Sequence, residues 1–224
     1  MELPYLVRLS RSITDIRETN TEEKMNMSAS ITYADVLRPN EKKLARVYDI
    51  GLIIVGSFFI GLCAQVVIPF SPVPITGQTF AVLMAGILFG ARRGSLCVLT
   101  YIAEGALGLP VFAMGRAGIG VLLGPTGGYL AGFLAAAYVT GLLAENGWDR
   151  RAGTTILTMI FGNVIIYTFG LLWLCCLTGI GKNVLSIGLY PFVIEEIFKM
   201  ALAAMVLPAG WKLLGLINMP SKEK

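Results

Sequence analysis

IGLIIVGSFFIGLCAQVVIPFSPVPITGQTFAVLMAGILFGA, residues 50–91, runs for 42 residues without a charged side chain. A helix needs about 20 apolar residues to cross a bilayer. A helix at the surface of a soluble core carries a polar face at every turn, and this stretch has none. It is too long for one crossing, and the PFSPVP segment at 69–74 divides it. Two further uncharged runs follow, 28 residues at 117–144 and 30 at 152–181. Only 14% of the 224 residues are charged, against roughly 25% in soluble domains. Hydrophobic residues make up 55%, and mean hydropathy is +0.72. The fold class this predicts is an all-α integral membrane protein.

Proline, glycine and charge punctuate the runs into six helices, at residues 47–68, 78–90, 94–107, 126–145, 153–178 and 189–214. The second and third are short, which is tolerated where irregular backbone packs against protein. Residues 1–45 mix basic, acidic and hydroxyl side chains. They contain no apolar run of the kind a secretory signal carries and read as a loosely ordered cytoplasmic extension. Translation starting at Met25 or Met27 would remove much of it. The membrane domain then spans 46–218, and 219–224 is a short cytoplasmic tail.

Lys42, Lys43, Arg46, Arg92, Arg93, Arg150, Arg151, Lys212, Lys222 and Lys224 fall on one side if all six helices cross; Arg116 and Lys182 fall on the other. The positive-inside rule then sets both termini in the cytoplasm. It places the loops 69–77, 108–125 and 179–188 outside. The net charge of +4 is a topological signal rather than a nucleic-acid footprint.

Small residues recur every four positions, as Gly86, Gly90 and Gly94, and as Gly124, Gly128, Gly132 and Ala136. Such stripes let helix backbones approach closely in lipid. Ser57 and Gly61 form a similar pair that either packs internally or faces a partner subunit. Cys63, Cys97, Cys175 and Cys176 all lie in apolar runs, and histidine is absent. No metal-ligand spacing is present, and no phosphate-binding GxxxxGK[ST] motif.

The outer loops are unusual. SPVPITGQT at 71–79 is rich in proline and small polar groups, and GLPVFAMGRAGIGVLLGPTGGY at 108–129 holds seven glycines in 22 residues. Such a loop serves close backbone approach to a ligand or plain packing between helices. Ionisable residues inside membrane segments cost about 2.5–3.5 kcal/mol each on insertion scales, and so mark function by default. Glu104 lies in the third helix; Glu195, Glu196 and Lys199 lie in the sixth. Glu196 and Lys199 share a helix face. Together they either fix packing as an ion pair or bind a solute. A carboxylate accepts N–H groups and an ammonium donates to a carbonyl, which suits a neutral cyclic urea. Arg116 would attract a carboxylate at the ligand's other end.

The stretch at 73–133 contains VPITGQT, EGALGLPVFA and LGPTGGYLAGF in order. It resembles the BioY family, the biotin-specific S components of energy-coupling-factor importers. Ala64 and Gln65 upstream, and Pro191, Phe192 and Lys199 downstream, extend the resemblance to the end of the chain. The resemblance implies a six-helix S-component fold that binds biotin from outside. It implies partners too, a transmembrane coupling subunit and a pair of ATPase subunits, in the bacterial cytoplasmic membrane. Biotin is then a transported ligand, with no cofactor and no covalent chemistry. Glu196 stands where the family commonly has the aspartate for the ureido ring, within Ile194-Glu195-Glu196 in place of Pro-Gly-Asp. The binding residues implied are Glu196 and Lys199 for the polar head. Thr76, Gln78, Thr79, Phe112, Gly115 and Tyr129 would be walls or lids, and Arg116 would hold the carboxylate. Met114 occupies a loop position that is often polar in the family. The family's partner-contact motif falls near Ser57 and Gly61.

The residues leave room for an S component or a solitary carrier serving another small vitamin. An intramembrane enzyme built on Glu195, Glu196 and Lys199 would require a nucleophile or metal set, and none is evident.

Overall fold

A computed structural model describes residues 31–70, 72–179 and 184–217. The elements in chain order begin with a single helical turn, α1 (Tyr33–Val36), and α2 (Lys42–Gln65). A two-stranded hairpin of β1 (Val67–Ile68) and β2 (Ile75–Thr76) follows, then α3 (Gln78–Ala106). A 3-10 turn (Ala113–Gly115) and the short helix α4 (Ile119–Leu123) lead into α5 (Gly127–Glu145). The chain ends with α6 (Ala152–Thr178), α7 (Val184–Gly188) and α8 (Tyr190–Ile217). Among the described residues, α2, α3, α5 and α6 are long and apolar enough to cross a membrane. This is a predominantly helical, multi-pass membrane protein.

α3 is not one rod. Gly90 has φ +84° and ψ 173°, a region essentially closed to residues with a Cβ. A Cβ built on Gly94 would lie 2.6 Å from the Gly86 Cα, although eight residues of continuous helix would separate the two positions by about 12 Å. The chain therefore reverses at Gly90. Residues 78–89 and 91–106 form a helical hairpin whose arms meet at the glycine stripe. The sequence reading of a loop at 91–93 gives way to helix that resumes directly after Gly90, because Ala91-Arg92-Arg93 contains no breaker.

Both small-residue stripes pack internally. A Cβ on Gly86 would strike Ala137 and Thr140 of α5, and one on Gly132 would sit 3.0 Å from the Ile166 Cα of α6. α3 and α5 are accordingly the most buried spans, while α2 and α6 lie largely on the outside. The first helix also differs from the expected 47–68. It starts at Lys42 and stops at Gln65, where β1 takes over and pairs Val67 with Thr76 and Ile68 with Ile75.

Within residues 31–45, α1 and the turns beside it make contacts with the helices. Thr32 and Ala34 are buried. Thr32 and Asp35 cap α1 reciprocally, with Thr32 Oγ1 to Asp35 Oδ2 at 2.7 Å. The Tyr33 hydroxyl donates to the Leu207 carbonyl, and its ring lies 4.4 Å from that of Trp211. Arg93 bridges Asp35 at 2.7 Å and Asp49 at 2.8 Å, and Arg38 pairs with Asp49 at 2.6 Å. Residues 1–30, Lys182 and the 219–224 tail with Lys222 and Lys224 lie outside the described residues, as does part of the loop 179–188.

Candidate ligand-binding site

Three segments far apart in sequence converge beside the hairpin β1–β2. β2 delivers Thr76, and the first turn of α3 delivers Gln78 and Thr79. α8 presents Glu195, Glu196 and Lys199 over one turn. α6 contributes Asn163 and Tyr167, four residues apart and hence on one face.

Glu196 is 4% exposed and closely bonded. Its Oε1 accepts from the Thr79 hydroxyl at 2.6 Å, from Lys199 Nζ at 3.0 Å and from the Tyr167 hydroxyl at 3.4 Å. Its Oε2 accepts from Asn163 Nδ2 at 2.9 Å. Lys199 Nζ also donates to the Thr76 carbonyl at 2.8 Å and to Thr79 Oγ1 at 2.7 Å, and lies 3.2 Å from Glu195 Oε1. Thr79 thus accepts from the ammonium and donates to the carboxylate. Buried charges persist where they are paired and hydrogen-bonded, and this network provides both. Thr76 Oγ1 donates to Gln78 Oε1 at 3.0 Å, and Gln78 Nε2 donates to the Tyr101 hydroxyl.

A cleft opens beside this network. Its polar lining is Thr76, Gln78, Thr79, Thr126 and Glu195, and its aromatic lining is Tyr129, Phe133, Tyr167 and Phe192. Tyr129 and Tyr167 meet edge to face at 6.2 Å, and Tyr167 lies 5.9 Å from Phe192. The Tyr129 hydroxyl is fixed on the Gly188 carbonyl at 2.9 Å. A second cleft shares Pro74, Gln78, Thr126 and Leu130 with the first, and is lined also by Phe112, Ala113 and Arg116. Glu195 lines the first cleft, and the exposed Arg116 lines the second.

The structure therefore gathers Thr76, Gln78, Thr79, Tyr129, Glu196 and Lys199 into one region. Phe112 and Arg116 lie at its far end. Glu196 and Lys199 stand behind the wall; among the described residues it is Glu195 that lines the groove. Phe112 is 1% exposed and packs edge to face on Tyr101 at 5.5 Å. Gly115 contributes backbone, its N–H donating to Gln65 Oε1 at 3.0 Å. Gln65 Nε2 donates in turn to the carbonyls of Val111 and Phe112 at 3.3 and 3.1 Å, tying α2 to the glycine-rich loop. Met114 is the one non-glycine with positive φ among the described residues, at 63°.

Ser57 and Gly61, expected at a partner surface, are inside the bundle. Ser57 is 1% exposed and donates to Glu104 Oε1 at 3.1 Å, while Gly61 faces Val111. The four-residue spacing marks a close approach, and the approach is intramolecular. Glu104 is thereby placed in helix packing rather than at the groove. Sequence reasoning missed Asn163, Tyr167, Tyr101 and Phe133. The available signal was the pair of polar-bearing residues at i and i+4 inside an uncharged span.

A sequence profile described as the BioY family matches residues 37–216. A biotin transporter BioY of Thermotoga maritima is 40% identical over 159 residues, covering 69% of this chain and 86% of that protein. Its counterpart from Rhizobium etli is 36% identical over 154 residues, covering 66% and 82%. A crystal structure of the S component for biotin from an ECF-type ABC transporter superposes with a TM-score of 0.64 at 26% identity. It covers 75% of this chain and 92% of that one.

Proposed function

The chain belongs to the BioY family, and from that membership we propose that it is the biotin-binding membrane subunit of an energy-coupling-factor importer. The observation that carries the proposal is the pair of clefts that share Pro74, Gln78, Thr126 and Leu130, the first with a polar wall and the second with Arg116. Biotin has a matching order of parts: a cyclic urea with N–H donors and a carbonyl, an apolar ring and chain, and a terminal carboxylate. The urea lies against Thr76, Gln78, Thr79 and Glu195. The aromatic lining of Tyr129, Phe133, Tyr167 and Phe192 takes the ring. The carboxylate points to Arg116.

In this reading the chain crosses the bacterial cytoplasmic membrane six times, with the hairpin turn at Gly90 and both termini inside. The basic residues at 42–46, 92–93 and 150–151 support that orientation. A coupling subunit and an ATPase pair supply the energy, since this chain has no nucleotide motif of its own. The chain carries no cofactor, and biotin is transported unchanged.

The test is equilibrium binding of biotin to the purified full chain in detergent, with competition by riboflavin, thiamine and pantothenate. A dissociation constant near 1 nM, about −12 kcal/mol, undisturbed by the competitors, is the expected result. A folded protein that ignores biotin, or releases it equally to another vitamin, would overturn the assignment.

A further inference from the structure

A second concentration of charge lies where α1 and the segment after it fold back onto the start of α2. A cavity there is lined by Asp35, Arg38 and Asn40 on one side, and by Lys42 and Arg46 of the first α2 turns on the other. The acids nearby are already taken. Asp35 meets Arg93 through Oδ1 at 2.7 Å and the Thr32 hydroxyl through Oδ2 at 2.7 Å. Asp49 meets Arg93 at 2.8 Å and Arg38 at 2.6 Å. Lys42 and Arg46 are exposed, and neither forms an ion pair among the described residues. Glu41, which adjoins Lys42 in sequence, is exposed and pairs with neither. Two unpaired cations thus share the cavity with Arg38. Like charges four apart on a helix repel each other, and an anion between them removes that repulsion.

What adjoins the cavity decides which anion fits. The row through Arg46 continues along α2 as Ile50 and Ile54, 58% and 56% exposed, with exposed Val47 beside it. α2 is long and apolar enough to cross a membrane and lies largely on the outside of the bundle, so these side chains meet acyl chains. One surface of α2 therefore carries cations at its start and hydrocarbon directly after them. A free phosphate would use only the first part. A zwitterionic lipid would bring its own cation towards Lys42 and Arg46. We propose that Arg38, Lys42 and Arg46 form a headgroup site for an anionic glycerophospholipid, whose phosphate lies between Lys42 and Arg46 and whose acyl chains run along Val47, Ile50 and Ile54. A lipid held there joins Arg38 and Asn40 to α2, and so fastens the segment after α1 to the first span. The site is at the opposite end of α2 from the β1–β2 hairpin, and it stands independently of the biotin reading.

Cations at this end of the spans also follow from the topology rule, so the experiment separates a defined site from diffuse attraction. The full chain, purified in a neutral detergent, is titrated with dioctanoyl phosphatidylglycerol, dioctanoyl phosphatidylcholine and glycerol 3-phosphate. Bound molecules are counted by native mass spectrometry. Phosphatidylglycerol should fill a single tight site and bind more tightly there than either of the others. Each cation near an anionic headgroup contributes about fivefold, so Lys42→Gln with Arg46→Gln should weaken that site about 30-fold. Arg151→Gln with Lys212→Gln removes the same charge from exposed positions outside the cavity and should leave the site unchanged. Should the first double variant fail to fold, Lys42→Gln and Arg46→Gln singly, each expected to cost about fivefold, decide the same question. Equal affinity for the two lipids, or equal loss in the two double variants, would overturn the site in favour of diffuse attraction. Glycerol 3-phosphate binding as tightly as phosphatidylglycerol would overturn the lipid and leave a soluble phosphate as the ligand.

Discussion

Lys199→Met is the most informative single perturbation of the polar network. The substitution keeps the length of the side chain and removes the ammonium. It leaves Glu196, whose side chain is 5% exposed, beside Glu195 with no cation between them. It also strips one donor each from the Thr76 carbonyl and Thr79 Oγ1. Removing one partner of a buried ion pair costs about 3–5 kcal/mol, because the remaining charge is stranded. Glu196→Gln should cost less, about 1–2 kcal/mol. The amide oxygen still accepts from Thr79, and Lys199 keeps Glu195 at 3.2 Å. The Lys199→Met, Glu196→Gln double variant removes both charges together. It should therefore cost about 2–3 kcal/mol less than the sum of the singles, at the upper end of coupling between contacting residues. The assay is reversible unfolding of the purified chain from mild detergent by titration with a denaturing detergent, followed by tryptophan fluorescence. Additivity within about 0.5 kcal/mol would refute the claim that these groups form one electrostatic unit.

Three other outcomes follow from the geometry. Gly90→Ala places a Cβ at φ +84°, ψ 173° and 2.7 Å from Glu145 Oε1. It should lose about 1–3 kcal/mol in the same unfolding assay, whereas Gly153→Ala, with open space around it, should lose none. Arg116→Gln should weaken biotin up to about fivefold, as expected of an exposed ion pair worth at most about 1 kcal/mol. It should leave the affinity for biotin amide, which lacks the carboxylate, unchanged; an equal loss for both ligands would remove Arg116 from the carboxylate's end. Asp35 supplies a pH test. Burial pushes its carboxyl up, but the hydrogen bonds from Arg93 and Thr32 and the Arg93 charge outweigh it and hold the group below its usual value. A lowered folded value contributes stability that is present above the unfolded pKa of about 3.9 and lost as pH falls through the folded value. The parent's thermal midpoint should therefore drop below about pH 4 more steeply than that of Asp35→Asn.

Much of this was legible in the sequence, and the parts that were not share a cause. Uncharged runs identify spans because the bilayer forbids unpaired charge, so α2, α5 and α6 lie close to their expected places. The Glu196–Lys199 pair follows from helix periodicity alone. Rotation about a helix axis does not follow from it. Glu195 and Glu196 are about 100° apart on α8, and which of them faces the groove depends on how α8 is turned against α6. Spacing alone likewise leaves Ser57 and Gly61 either packed internally or facing a partner; in the structure they meet Glu104 of α3 and Val111 of the glycine-rich loop. The i, i+4 spacing of Asn163 and Tyr167 puts them on one face, but it does not say which element that face meets. Residues 31–37 read as loose from their polar composition. Their packing depends on two contacts made across the chain, the Tyr33 ring on Trp211 and Asp35 on Arg93.

The arrangement of charge explains why a groove in a membrane protein can carry so many ionisable groups. Glu195, Glu196 and Lys199 together leave one formal negative charge on the α8 wall, and Arg116 leaves one positive charge at the far end. The buried member of the set, Glu196, has every oxygen met by a donor within the chain. Glu195 and Arg116 are the two charged residues that line the clefts. A ligand with N–H donors at one end and a carboxylate at the other supplies what each of them lacks, and demands nothing of the internal pair. A ligand with the reverse polarity would set carboxylate against Glu195 and cation against Arg116.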